Sequence, residues 1–176
     1  GLISPKSLHK NILRKMKLSG KKYSDGDIKQ HIKEIRWSVF LDSSVFIWAY
    51  NRPNSNSAKI LELMNEGKIR VVISEKVVKE LRRYFLKFYN KDIFSEILYH
   101  ITSTAKVISK EEISEEIKKL KNKIKEKDIE HLATVRYMNI KHLIAYDEDF
   151  EIFEEYITPK NFIKKLGLQT SDTDYW

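Results

Sequence analysis

The chain has 176 residues, no Cys, 41% hydrophobic residues, and 33 Lys and Arg against 25 Asp and Glu, a formal charge of +8. This length suits one domain, the hydrophobic content excludes a disordered chain, and the lack of Cys excludes disulfide frameworks, zinc ribbons and thiol nucleophiles. No apolar run approaches the ~20 residues of a membrane span or forms a signal peptide, so we expect a soluble cytoplasmic protein with no membrane partner.

Residues 1–37 form a basic N-terminal segment, which we expect to be a helical extension. The segment carries ten basic residues and three acids, a net charge of +7, whereas the remainder of the chain sums to +1. Apolar residues recur at helical spacing from Leu8 to Met16. This charge favours a polyanionic partner, nucleic acid before membrane surface, although a solvated surface explains it equally well. The candidate RNA contacts in the segment are Lys15, Lys21 and Lys22.

From Trp37 onward, short apolar runs alternate with helical patterns. The runs at 38–41, 70–73, 106–108 and 142–145 are typical of buried strands, and 156–157 is a weaker fifth. Helical patterns cover 45–50, 56–66, 75–90, 111–126, 128–138 and 159–166. The alternation predicts an α/β fold with a parallel five-stranded sheet, in an order near 3-2-1-4-5, flanked by helices. We place this domain at 38–168 and a C-terminal tail at 169–176.

Acidic residues follow the predicted strands at the edge where open parallel sheets carry their functional sites. Asp42 ends the first strand, Asp147 ends the fourth, and Asp149 lies two residues further on. Glu80 lies in the helix after the second strand, and Asp128 opens the helix before the fourth. Clustered carboxylates repel one another unless a cation lies between them, and oxygen ligands without Cys or paired His favour Mg²⁺ or Mn²⁺. Such ions catalyse phosphodiester hydrolysis, which fits a polyanionic substrate.

With these motifs in place, residues 38–166 resemble the PIN-domain nucleases, and within them the VapC-type toxin ribonucleases. The resemblance begins with hydrophobic-Asp-Ser-Ser-Val at the first strand and with Ile-Ser followed by a helical Glu six residues after the Ser. It continues with Lys-Asp-Ile-Glu-His-Leu-Ala and with Leu-Ile-Ala-Tyr-Asp-Glu-Asp-Phe. These last two motifs, in this order and at this separation, are the most specific part.

The resemblance implies a function and a set of site residues. The implied activity is that of a divalent-metal-dependent endoribonuclease that cuts single-stranded or loop RNA, in the role of a toxin silenced by an antitoxin and commonly assembled as a homodimer. Asp149 would support the metal, Ser43 would orient the first Asp, and Arg82 and Arg83 are candidate RNA contacts. The implied catalytic quartet, which would hold Mg²⁺ or Mn²⁺, is Asp42, Glu80, Asp128 and Asp147.

Some positions depart from the family pattern. Ala145 stands in place of the usual Thr or Ser, Ser44 stands where Asn is common, and the stretch between Glu80 and Asp128 is longer than in compact toxins. His131, three residues after Asp128, could approach the site, although a structural hydrogen bond in its helix is the simpler interpretation. Two other functions stay open: a non-catalytic PIN-like module that binds RNA or protein, and a structure-specific DNA nuclease.

Overall fold

A computed structural model describes residues 37–172, which form five strands and seven α-helices. The strands are β1 (Trp37–Leu41), β2 (Ile69–Ser74), β3 (Ala105–Ile108), β4 (His142–Ile144) and β5 (Tyr156–Ile157). The helices are α1 (Ser43–Asn51), α2 (Asn56–Asn65), α3 (Glu75–Phe88), α4 (Lys91–Thr104), α5 (Ser114–Leu120), α6 (Glu126–Tyr137) and α7 (Pro159–Lys165). A 3₁₀ helix spans Glu148–Ile152.

The five strands form one sheet in the order β3-β2-β1-β4-β5, and every neighbouring pair is parallel. Strand β1 is central, and its Val39 is in register with Val71 of β2 and with His142 of β4. The predicted parallel sheet and its strand order are confirmed. This order brings the carboxyl ends of β1 and β4 side by side, as the hydrogen bond from Asp42 N to Ile144 O shows (3.0 Å).

The central strands are apolar because helices cover both faces of the sheet. The side chains of β1 from Val39 to Leu41 and those of β2 from Val71 to Ile73 are fully buried. Full burial on both faces explains the continuous apolar runs, since a strand with one wet face would alternate with polar residues. Each such side chain contributes about 1.5–3 kcal/mol by leaving water.

Between β2 and α6, one helix prediction was wrong and one helix was not predicted. The predicted helix 111–126 contains α5, which ends at Leu120 because Lys121 leaves helical geometry (ψ 133°) and Asn122 is left-handed (φ 66°). Helix α4 was not predicted at all. It begins at an Asn90 side chain that accepts the Ile93 N–H (2.8 Å), and it buries Phe94 and Ile101.

The boundaries of the domain differ slightly from those predicted. Trp37, which we placed in the N-terminal extension, is the first residue of β1, and its ring contacts Phe162 (5.9 Å between centroids). At the other end, the buried Asn56 side chain exchanges two hydrogen bonds with the Ser171 backbone, so part of the predicted tail is attached to the domain. Across residues 37–172, no helix is both long and apolar enough to cross a membrane.

Candidate metal centre

Asp42 lies where β1 ends and α1 begins. Its carboxylate is the N-cap of α1: Oδ2 accepts the Ser44 N–H (3.4 Å) and the Ser44 hydroxyl (2.7 Å). These bonds fix the side chain at the edge of the sheet, where it is only 11% exposed. The hydroxyl that orients Asp42 is therefore that of Ser44, whereas the resemblance assigned this part to Ser43.

Glu80 reaches the same point from the second turn of α3, and the imidazole of His131 lies between the two acids. His131 Nε2 is 3.0 Å from Glu80 Oε1 and 3.3 Å from Asp42 Oδ1. Glu80 Oε1 is buried and its contact with His131 is an ion pair without a formal hydrogen bond, so this oxygen is available as a ligand to a cation. The structure thus brings Asp42 and Glu80 together, as predicted, with a third residue between them.

The other ring nitrogen of His131 contacts the last residue of β2. Nδ1 is 3.1 Å from Ser74 Oγ, the hydroxyl that also caps α3, and the ring packs beside Phe40 (5.2 Å between centroids). Our interpretation of His131 as a residue bonded within its own helix was wrong. The ring contacts the ends of β1 and β2 and the side of α3, because α6 presents Asp128 and His131 together at three-residue spacing.

The contacts of His131 couple its proton to the acids. Burial alone would lower the pKa of His131, but the carboxylates of Asp42 and Glu80 outweigh it and raise the pKa from 6.5 to about 9. Burial would raise the pKa of Asp42, but the His131 imidazolium and the Ser44 donors hold that pKa below its usual value. In the metal-free protein, His131 is therefore an imidazolium that faces the carboxylates of Asp42 and Glu80.

A second group of acids lies beside the first. Asp147 caps the 3₁₀ helix by accepting the Asp149 N–H (2.9 Å), which places both carboxylates after β4. Lys127 Nζ joins them, 3.0 Å from Asp147 Oδ2 and 2.6 Å from Asp149 Oδ2, and Lys125 Nζ is 3.1 Å from Asp149. Asp147 is thus the cap of the 3₁₀ helix, and Lys127 lies between Asp147 and Asp149.

Asp128 lies in the first turn of α6 and is buried. Its pKa is raised, first by burial and then by the negative charges of Asp147 and Asp149, while Lys127 and His131 act in the opposite direction. It is therefore electrostatically coupled to the second group of acids and to His131. Its placement three residues before His131 makes α6 the element that spans the site.

The donor set of the first group fits a divalent cation. One ligand atom from each of Asp42, Glu80 and His131 lies within 4.8 Å of the other two. Two carboxylates and one imidazole suit Mn²⁺ and related ions, whereas Mg²⁺ would use mainly the oxygens. Ser74 supports the imidazole from its far side, as groups behind histidine ligands commonly do.

The structure also locates the predicted RNA contacts. Arg82 and Arg83 lie on the exposed side of α3, just after Glu80. Lys15, Lys21 and Lys22 lie outside the described residues. The sequence reasoning assigned no role to Lys127, and it did not predict that Ser44 bonds Asp42 or that His131 lies between Asp42 and Glu80, although the Lys-Asp-Ile-Glu-His motif contains both Lys127 and His131.

Comparisons with known proteins agree with this fold. The family model described as PIN domain matches residues 39–155. A solved chain titled "Toxin-antitoxin complex from Klebsiella pneumoniae" is 22% identical, with a TM-score of 0.55, covering 69% of this chain and 97% of that one. A chain of VapBC2 from Rickettsia felis, bound to a DNA fragment from their promoter, is 19% identical, with a TM-score of 0.51, covering 69% and 96%. No curated protein matches the sequence.

Proposed function

The chain belongs to the PIN domain family, whose model matches more than half of its length, and we propose that it is a divalent-metal-dependent endoribonuclease. The observation that carries this proposal is the convergence of Asp42 and Glu80 on one point at the carboxyl edge of the sheet. A charge cluster of this kind is costly to the fold, and a module that only binds would have no need of it.

In this proposal, the acids hold Mg²⁺ or Mn²⁺ and the basic residues around them hold RNA. When bound, the ion supplies Lewis acidity toward the phosphate and lowers the pKa of water. Asp149 supports the ion, and Arg82 and Arg83 contact phosphates of the strand. The proposed catalytic residues are Asp42, Glu80, Asp128 and Asp147.

Lys127 has a distinct part in the proposal. Its ammonium satisfies Asp147 and Asp149 in the metal-free protein. A cation bound to these oxygens would displace the ammonium, which lies on an exposed stem at the rim of the site. Lys127 would then be free to contact a phosphate of the substrate. When a cation replaces the Lys127 ammonium, Asp147 and Asp149 remain paired with positive charge.

The test is cleavage of single-stranded RNA and of DNA of the same sequence, side by side, in Mn²⁺, in Mg²⁺ and in EDTA. We expect RNA to be cut when either ion is present and to remain intact in EDTA. Preferential cleavage of DNA would favour the DNA nuclease. RNA that binds but stays intact with both ions would contradict catalysis and favour the binding module.

We further propose that the chain is the toxin of a toxin–antitoxin pair and that a homodimer is its native assembly. The toxin–antitoxin role is supported by the likeness in fold to two chains whose titles name a toxin–antitoxin complex and VapBC2, and the homodimer rests on the family resemblance alone. Expression of the chain should arrest growth, and the Asp42→Asn variant should not. Growth arrest by both proteins would show that toxicity does not depend on the site.

The basic segment 1–37 is proposed to add non-specific attraction to RNA. Deleting residues 1–36 removes a large positive charge and leaves Trp37 in β1. We expect weaker RNA binding and a shallower dependence of affinity on salt, because fewer counterions are released. Metal-dependent cleavage of saturating RNA should persist. An unchanged salt slope would mean that this segment does not contact RNA.

A further inference from the structure

A row of aromatic side chains leads away from Glu80 along α3. Tyr84 and Phe88 follow Glu80 at intervals of four residues, which places them on the same side of the helix, about 6 and 12 Å further along its axis. Tyr50 of α1 and Tyr89 lie beside them. Phe88 is 60% exposed, and Tyr50 and Tyr89 are about 40% exposed, so these aromatic residues are partly open to solvent. We call these four residues the aromatic row.

The rings of the aromatic row are fixed before anything binds. Asn51 donates a hydrogen bond to the Tyr84 hydroxyl (2.7 Å) and accepts one from the Tyr89 hydroxyl. Tyr84 also packs against Phe88, with 4.8 Å between ring centroids. Exposed aromatic side chains normally lose rotamer freedom when a ligand orders them. In this protein, hydrogen bonds and ring packing already restrict the rotamers of Tyr84 and Tyr89, so less side-chain entropy is lost when a ligand binds.

The charge around the aromatic row is positive. Helix α3 has five basic and two acidic residues, a net charge of +3, in a domain that is nearly neutral overall. Lys87 Nζ lies 5.3 Å from the centre of the Phe88 ring, so a cation accompanies the most exposed aromatic residue. Arg83 and Lys87 flank the row on its solvent side. The basic residues of α3 are Lys76, Lys79, Arg82, Arg83 and Lys87.

We propose that the aromatic row is a stacking platform for the bases of single-stranded RNA, with the strand running along α3 toward Glu80. This inference rests on the proposed function and adds how the substrate is held. Exposed aromatic residues beside cations match a ligand that carries both stacking bases and phosphates, and single-stranded nucleic acid is that ligand. A second copy of this chain is disfavoured on this face, because two copies of α3, each with a net charge of +3, would bring like charges together.

The experiment compares binding of two fluorescein-labelled strands in EDTA, where no cleavage occurs: a short oligouridylate and the same backbone without bases. Wild-type chain should bind the oligouridylate more tightly. Phe88→Ala should weaken that binding about tenfold, since stacking contributes roughly 1–3 kcal/mol per base. The same variant should bind the abasic strand as the wild type does. Phe88→Tyr should restore affinity for the oligouridylate.

The matched control is Tyr137→Ala, which removes a 46% exposed aromatic residue at the far end of α6 and should bind both strands normally. Lys87→Gln should weaken both strands equally, because it removes a phosphate contact. Equal affinities of Phe88→Ala and wild type for the oligouridylate would overturn the proposal. A dimer that becomes monomeric with Phe88→Ala would also overturn it, in favour of a second copy on this face. Because no metal is present, these results are independent of whether the chain cleaves RNA.

Discussion

Asp42→Asn should abolish metal-dependent RNA cleavage while leaving the fold intact. The substitution removes one full negative charge from the point where the Asp42 and Glu80 oxygens face each other across His131. A bound ion supplies several kcal/mol of charge stabilisation in the transition state, so we expect a loss of about a thousandfold or more. Calorimetric titration with Mn²⁺ should show weakened binding in the same variant.

The local structure around residue 42 should survive this change. Asn is as good an N-cap as Asp, and its side-chain oxygen can still accept the Ser44 N–H. The matched control is Asp92→Asn in the first turn of α4, an exposed acid that should cleave RNA at the wild-type rate. Wild-type cleavage by Asp42→Asn, with its circular dichroism unchanged, would show that this edge of the sheet is not the active site.

The sheet was predictable from the sequence because its strands carry an unambiguous signal. Runs such as Val71–Ile73 are apolar at every position, and only burial on both faces explains that pattern in so short a segment. The missed α4 had a weaker signal. Its apolar face, which buries Phe94 and Ile101, is surrounded by polar residues. In addition, the hydroxyls of Thr102 and Ser103 donate hydrogen bonds to backbone carbonyls of the same helix.

The acids of the site were predictable as a group but their partners were not. That Asp42 and Asp147 meet at one edge follows from the topology, since parallel strands end on the same side. That His131 would lie between Asp42 and Glu80, and Lys127 between Asp147 and Asp149, depends on side-chain directions on α6. Lys127 and His131 lie on either side of Asp128 in the sequence. Lys127 contacts the second group of acids, whereas His131 contacts the first. Periodicity places such residues on a helix but does not say which carboxylate each reaches.

The two positive side chains explain how the fold tolerates its acids before a metal arrives. An isolated cluster of five carboxylates would repel itself and raise its own pKa values. His131 offsets Asp42 and Glu80, and Lys127 offsets Asp147 and Asp149. Asp128 has neither as a direct ion-pair partner, and it is the acid whose pKa is raised. In the metal-free site these two side chains offset part of the negative charge, and a bound cation would take over that role by displacing Lys127 and the proton of His131.

The stability of the metal-free protein should therefore depend on pH through His131. Its folded pKa of about 9 lies above the ordinary 6.5, so its contribution is fully present below pH 6.5 and is lost as the pH rises through about 9. The loss should be about 3 kcal/mol, since each pKa unit corresponds to 1.36 kcal/mol. Asp42 has a lowered pKa, so its contribution is present above 3.8 and is lost in acid. Denaturant unfolding in EDTA should give maximum stability between these two limits.

His131→Gln should remove the alkaline part of this dependence, because an amide has no proton to lose in this range. His142→Gln is the matched control with the opposite sign. Burial and the nearby Lys165 and Lys141 lower the pKa of His142, so its protonation costs stability as the pH falls below 6.5. Replacing His142 should therefore flatten the acid side of the curve and leave the alkaline side unchanged. If His131→Gln loses as much stability as the wild type between pH 6.5 and 9, the imidazolium does not hold the two acids together.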